Sequence, residues 1–197
     1  MFRPYRWSDV TGSSYVELVI VIAIVATMTT SVVPVTGKAI DAGRARNAAG
    51  FLAARMRLAR QHAASRTAST GVVFDLTASG WTIRVCTDGN GNGIQRADIA
   101  TGIDTCPDGP FFLAQQFPDV EVGVDARLPG PEGEPGSADP VRFGRSDIAS
   151  FSPEGTGTAG TVFLRTKGSQ YAVRVNNVTG RTRVLRYNPG TRTWSNW

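Results

Sequence analysis

From Gly155 to Trp197 the chain carries Arg165, Lys167, Arg174, Arg181, Arg183, Arg186 and Arg192 and no Asp or Glu. Guanidinium groups stay charged and present five donors each, so such a run suits oxyanions, phosphates above all. Its densest point is Gly180-Arg181-Thr182-Arg183. In a strand, residues 181 and 183 share one face about 7 Å apart, a spacing that fits adjacent phosphates. Tyr171, Tyr187, Trp194 and Trp197 are interleaved, and their rings could stack on exposed bases. The stretch Asn188–Trp194 reads as a turn and a mobile end able to follow a groove. Residues 13–154 hold 12 Lys/Arg against 15 Asp/Glu, so the tail is a basic segment on a mildly acidic body, within a net charge of +5. Charge alone leaves double-stranded DNA, anionic lipid and an acidic neighbouring subunit as partners. Solvated strand faces are the plain alternative.

A second group of residues points to cations. Asp88-Gly89-Asn90-Gly91-Asn92-Gly93 matches the first six positions of a calcium loop. Asp88, Asn90, Asn92 and Asp98 are the candidate ligands. Ile99 stands where the bidentate acid belongs, so a Gly/Asn-rich turn is the simpler reading. Cys86 and Cys106 flank this stretch and are the only two cysteines. In an oxidising compartment they are expected to pair. The single histidine, His62, excludes a multi-His metal site. No nucleophile elbow, P-loop, zinc signature or dinucleotide fingerprint occurs, so an enzyme is not expected and no cofactor is implied.

The elements that must position these residues begin with an uncharged run from Leu18 to Gly37. Its length is near the minimum for a helix that crosses a bilayer. Arg3 and Arg6 precede it, the flank expected on the cytoplasmic side. Glu17 sits at the head of the run, where a carboxylate is costly without a cationic partner. Gly12-Ser13-Ser14-Tyr15-Val16-Glu17-Leu18 and the Val/Ile run after it resemble the type IV prepilin signal. The resemblance implies a peptidase cut between Gly12 and Ser13, N-methylation of Ser13, and Glu17 as mature position five. Glu17 would then pair with the amine of Ser13 on a neighbouring subunit. The usual Phe after the cut is replaced here by Ser13.

Residues 37–68 continue as an amphipathic, Ala- and Arg-rich helix, with Ile40, Phe51, Leu52, Met56, Ala59 and Ala63 as apolar positions. Its arginines read as a solvated face. After residue 68, runs of branched and aromatic residues predict strands at 70–76, 81–86, 111–117, 120–124, 148–151, 161–166, 171–176 and 181–187. Leu128–Pro140 is a Pro/Gly-rich loop whose acids, Glu132 and Glu134, read as solvating. The expected fold is α+β: a long N-terminal helix, membrane-spanning in its first half, packed through its second half on an antiparallel β head. The expected divisions are a leader (1–12), a transmembrane and assembly helix (13–36), a joining helix (37–68) and a β-rich head (69–197).

Phe151-Ser152-Pro153-Glu154-Gly155, followed by Thr161–Leu164, Val173–Val178 and Gly180-Arg181, is similar to the C-terminal half of the GspH/FimT family of minor pilins and pseudopilins. The resemblance implies other pilin subunits, a prepilin peptidase and the bacterial inner membrane as partners. It places the head in the periplasm and later in a surface fibre. In FimT-like members a Gly-Arg-x-Arg element is associated with DNA binding during uptake, and Gly180–Arg183 matches it. Arg181, Arg183, Arg186, Arg192 and Lys167 are therefore the expected DNA-binding residues. The alternative is a type II secretion pseudopilin without nucleic-acid affinity.

Overall fold

A computed structural model describes residues 14–197, without the side chains of residues 29–36 and 38. Gly12 and Ser13, the expected cleavage and methylation positions, lie outside the described residues. The chain divides into two compact units, one ending at Ala39 and one running Ile40–Trp197. Helix α1, Tyr15–Arg66, contributes to both. In the first unit the described apolar side chains from Tyr15 to Met28 are exposed, Tyr15 at 80% and Met28 at 66%. Among the described residues no helix is long and apolar enough to cross a membrane.

In the second unit α1 buries Ala45, Ala48, Ala49, Leu52, Ala53, Met56, Ala59 and Ala63. These fall at three- and four-residue steps along one stripe. Most are alanines, so the helix backbone can sit close to its neighbours. The bulk of the core comes from strand and loop residues instead, including the fully buried Phe74, Phe143 and Phe151. The Phe74 and Phe143 rings stack at 5.9 Å. Ile40, an expected apolar contact, is exposed.

Two antiparallel sheets complete this unit. The first has the order β3-β2-β1-β6, from Thr70–Thr77 (β1), Gly80–Thr87 (β2), Thr105–Phe112 (β3) and Ile148–Phe151 (β6). The second has the order β10-β9-β8-β7-β4, from Glu121–Val122 (β4), Gly160–Arg165 (β7), Gln170–Val175 (β8), Thr182–Asn188 (β9) and Thr193–Asn196 (β10). Val141–Arg142 (β5) also pairs with β7. Two short helices, Arg96–Thr101 (α2) and Leu113–Gln116 (α3), lie in the connections.

The expected α+β antiparallel head is present, with local differences. Residues 113–116, expected as strand, form α3. Phe111-Phe112 ends β3, and Phe51 packs on the rings of Phe111 and Phe117. β3 itself begins earlier, at Thr105, where the Cys86–Cys106 disulfide ties it to β2. The tail is not a mobile end. Asn188 Oδ1 accepts from the Gly190 N–H, the chain turns, and β10 returns along β9. Trp194 then packs on Phe163 and Tyr187 and donates its indole N–H to the Pro129 carbonyl at 2.8 Å. Burying a ring and satisfying its one donor outweighs the freedom of a short tail.

The Leu128–Pro140 loop is pinned in the same way. Arg174 on β8 pairs with Glu132 at 2.5 Å and with Glu134 at 3.4 Å. Burial works against a charge on Glu134, but main-chain N–H donors and Arg174 hold its carboxyl below the ordinary value. These acids therefore fasten the loop and do not merely solvate it. The α1 arginines are likewise not a uniform solvated face. Arg44 pairs with Asp119, Arg55 pairs with Asp108 and lies over the Phe111 ring, and Arg46 lies over Trp197.

Candidate nucleic-acid interface

The two expected cation and anion features separate cleanly. In the Asp/Asn-rich loop the carboxylates turn inward to the backbone. Asp88 accepts N–H bonds from Asn90, Gly91 and Gly93, the last two at 2.7 Å. Asp104 accepts from Gly89 and Gln95, and Asp98 accepts from the side-chain amides of Asn90 and Asn92. Burial raises the Asp88 carboxyl, yet the N–H donors more than offset it and hold the group below its ordinary value. Hydrogen-bond donors thus already meet both oxygens of Asp88 and one oxygen of Asp98. Among the described residues no group of three or more His, Cys, Asp or Glu is placed to hold a metal. The Cys86–Cys106 disulfide closes the same loop, over a hydrophobic patch of Val73, Ile94, Ile99 and Ile148.

The basic residues are set by the β8–β9 hairpin. Gly180 lies buried at the end of its turn with φ +57°. A Cβ here would sit 2.6 Å from the Gly155 carbonyl oxygen and 2.9 Å from Nε of Arg60. Only a glycine lets the hairpin turn press against both the Gly155 loop and helix α1. The Phe151–Gly155 segment and the Gly180-Arg181 step therefore meet, although they are distant in sequence. Arg60 reinforces the junction by donating from Nε to the Gly155 carbonyl at 3.4 Å.

This close approach builds a cleft of about 420 Å³. The helix supplies Arg57, Arg60 and Gln61, and the hairpin supplies Gly180, Arg181, Thr182 and Arg183. No carboxylate lines it, and none of its four arginines is ion-paired with a described carboxylate. In a second cavity, of about 290 Å³, Arg181 and Arg183 sit with Arg174 and its partner Glu132. A third cavity, about 740 Å³, holds Lys167 and Arg186 beside Arg165, but also Asp119, Glu121 and Asp125. Arg165 there is paired with Glu121 at 2.5 Å.

The five expected DNA-binding residues are thus not one surface. Arg181 and Arg183 border a cleft with two helix arginines, but the register sets Arg183 opposite Arg174, on the face of β9 away from α1. Lys167 and Arg186 line a cavity of mixed charge, and Arg192 stands on the exposed β9–β10 turn. Arg186 and Arg183 fall on opposite faces of β9 by strand alternation. The interleaved aromatics are also spoken for. Tyr171 is buried, Trp194 and Tyr187 pack on each other, and Trp197 lies under Arg46. Base stacking has little to work with, so the cleft offers charge and hydrogen bonds to an oxyanion. No cue in the sequence sets Arg57 and Arg60 beside Gly180 and Arg181. Their i, i+3 spacing puts them on one helix face, but which strand that face meets is a tertiary matter.

No curated protein and no solved structure matches the chain. The family described as type II transport protein GspH matches residues 48–180, more than half of the chain. The match takes in the helix stripe from Ala48 onward, the Phe151–Gly155 segment and both sheets up to Gly180, and stops before Arg181. The antiparallel head on an N-terminal helix agrees with it, and the chain belongs to the GspH family of structural, pilin-like subunits.

Proposed function

We propose that this chain is a minor pilin of a type IV pilus that binds double-stranded DNA through its phosphates, without base readout, during DNA uptake. The observation that carries this reading is a cleft bordered by Arg57, Arg60, Arg181 and Arg183 and lined by no carboxylate. Association with other pilin or pseudopilin subunits follows from the family. In the proposed arrangement the prepilin peptidase cuts after Gly12, Ser13 becomes the methylated N-terminus, and the apolar run after Glu17 anchors the subunit in the inner membrane with its head in the periplasm. The exposed apolar side chains of Tyr15–Met28 are what such a helix would bury in a membrane or against neighbouring subunits.

The test is the salt dependence of DNA binding by the full chain in mild detergent. Contact with about 3–4 phosphates predicts a log–log salt slope near −3, with affinity independent of sequence. Arg181→Gln/Arg183→Gln is expected to lower affinity at least ~10-fold and to flatten the slope by about 2. Binding that is absent at low salt, with the protein folded, would leave the second reading. That reading is a minor pseudopilin of a type II secretion system, and it is favoured by the description of the matching family.

Both readings require assembly, and Glu17 is its proposed electrostatic contact. Glu17→Ala is expected to leave the Ile40–Trp197 unit folded while fewer copies enter the fibre. Quantifying the subunit in sheared fibres checks this, and wild-type incorporation would count against a Glu17–Ser13 amine pair.

A further inference from the structure

The register across β7, β8 and β9 sets Thr161 opposite Arg174, and Arg174 opposite Arg183. Phe163, Ala172, Leu185 and Trp194 share a cluster on this face of the sheet, whereas Val162, Val173, Val175 and Val184 belong to the core under α1. Arg174, Arg181 and Arg183 therefore stand on the face away from α1, around the cavity of about 290 Å³ that Pro131 and Glu132 also line. Like charges directly opposite across two strands repel. Arg174 and Arg183 are such a pair, and the acids that meet Arg174 come from the Leu128–Pro140 loop.

That loop is fastened in two unlike ways. Its stems are held through main-chain carbonyls. Trp194 donates to Pro129 at 2.8 Å, and Arg142 donates to Ser137 at 3.1 Å and to Asp139 at 3.0 Å. Its tip folds on itself. The Gly130 N–H bonds to the Glu134 carbonyl, the Gly133 N–H to the Gly130 carbonyl, and the Glu132 N–H to the Glu134 carboxylate. The tip is tied to the sheet by Glu132 and Glu134 on Arg174, and these two acid side chains are 67% and 43% exposed. Ion pairs this exposed are weak and screened by salt, so a polyanion can displace them while the stems stay in place.

We propose that the tip of this loop is an acidic strap that occupies Arg174 in the free protein, and that the phosphate backbone of DNA displaces it to reach Arg174 beside Arg181 and Arg183. The proposal rests on the DNA reading for the source of the phosphates, and adds to it a third contact and a built-in competitor. Carboxylate and phosphate take the same forked bonds from a guanidinium, so strap and phosphate compete for one set of donors. The strap lowers affinity for DNA of any sequence alike, because what it covers contacts the backbone and not the bases.

The experiment uses the full chain in mild detergent and a short DNA duplex. Affinity is read for the wild type, Glu132→Gln/Glu134→Gln, Arg174→Gln and the variant that combines all three. Glutamine at 134 keeps an acceptor for the Glu132 N–H, so the tip's own bonds survive. The glutamine pair is expected to tighten DNA binding about tenfold and to steepen the log–log salt slope by about 1, because Arg174 is then gained without displacing the strap. In the Arg174→Gln background the same pair should change affinity less than about threefold. An equal gain in both backgrounds would mean that the acids act only through general charge, and would overturn the strap while the DNA reading stands. A second readout needs no DNA. Inorganic polyphosphate, against sodium chloride at equal ionic strength, is expected to speed hydrogen exchange at the Gly130, Glu132 and Gly133 amides. The Val141 amide, bonded to Asp139 in the stem, should not change. Unmoved tip amides at saturating polyphosphate would overturn the strap. Faster tip exchange, with DNA bound by none of the four proteins, would keep the strap and remove the DNA reading.

Discussion

Gly180→Ala is expected to lower the unfolding free energy by about 3 kcal/mol, a large effect for one methyl group. Two causes add. The residue has φ +57°, where a side chain costs roughly 1–2 kcal/mol relative to glycine. The new Cβ would also sit 2.6 Å from the carbonyl oxygen of Gly155. That carbonyl cannot swing away freely. The Gly155 N–H is bonded to Ser152, the Ser152 N–H to Thr156, and Phe151 bridges to Gly157. Relief must come from moving the hairpin turn off the helix, which would open the cleft between them. Stability and DNA affinity should therefore fall together. Gly168→Ala is the control, since nothing lies within 4 Å of a Cβ there, and it is expected to change stability by less than ~0.5 kcal/mol. Urea unfolding followed by tryptophan fluorescence reads both variants. Superimposable curves for Gly180→Ala and wild type would mean that the Gly155–Gly180 contact carries no strain.

Opening the Cys86–Cys106 bond is expected to cost a similar amount, about 3 kcal/mol, but without touching the cleft. The two cysteines are 20 residues apart in sequence, and closing a loop of that size restricts the unfolded chain by roughly this free energy. Cys86→Ala/Cys106→Ala is the cleaner variant, because serine at the buried position 86 would leave a hydroxyl without a partner. The loop should keep its local form, since Asp88 and Asp104 hold five of its backbone N–H groups independently of sulfur. DNA binding should be unchanged, because no loop residue lines the cleft between α1 and the β8–β9 turn. The wild type in reductant should unfold at the same urea concentration as the double variant, and the variant should ignore reductant. A wild-type midpoint that reductant does not move would remove the disulfide from the stability account.

The difference between these two sites shows how much was legible beforehand. The cysteine pair needed only a count of two and a flanking Gly-rich stretch. The calcium-like spacing of Asp88, Asn90 and Asn92 was legible too, beside the simpler reading of a Gly/Asn-rich turn, and the loop's hydrogen bonds fit the turn. The same oxygen donors at alternate positions suit a cation or a nest of backbone N–H groups equally well, and only the fold of the loop decides which they meet. The strands 70–77, 80–87, 160–165, 170–175 and 182–188 followed their branched and aromatic residues closely. β10 did not, because Thr193–Asn196 has little strand character of its own and is held by Trp194 docking on Phe163.

By itself the sequence determined the helix, the strand-rich head, the disulfide partners and the acid-free basic tail. Each of these depends on neighbours close along the chain or on composition. The tertiary structure alone decided which cations act together. It split Lys167 and Arg186 from Arg181 and Arg183, withdrew Tyr171 and Trp194 from any ligand, and brought Arg57 and Arg60 from more than a hundred residues away. The physical reason lies in one contact: a glycine at 180 with no side chain, against the Gly155 carbonyl and the flank of Arg60, sets how near the hairpin comes to the helix.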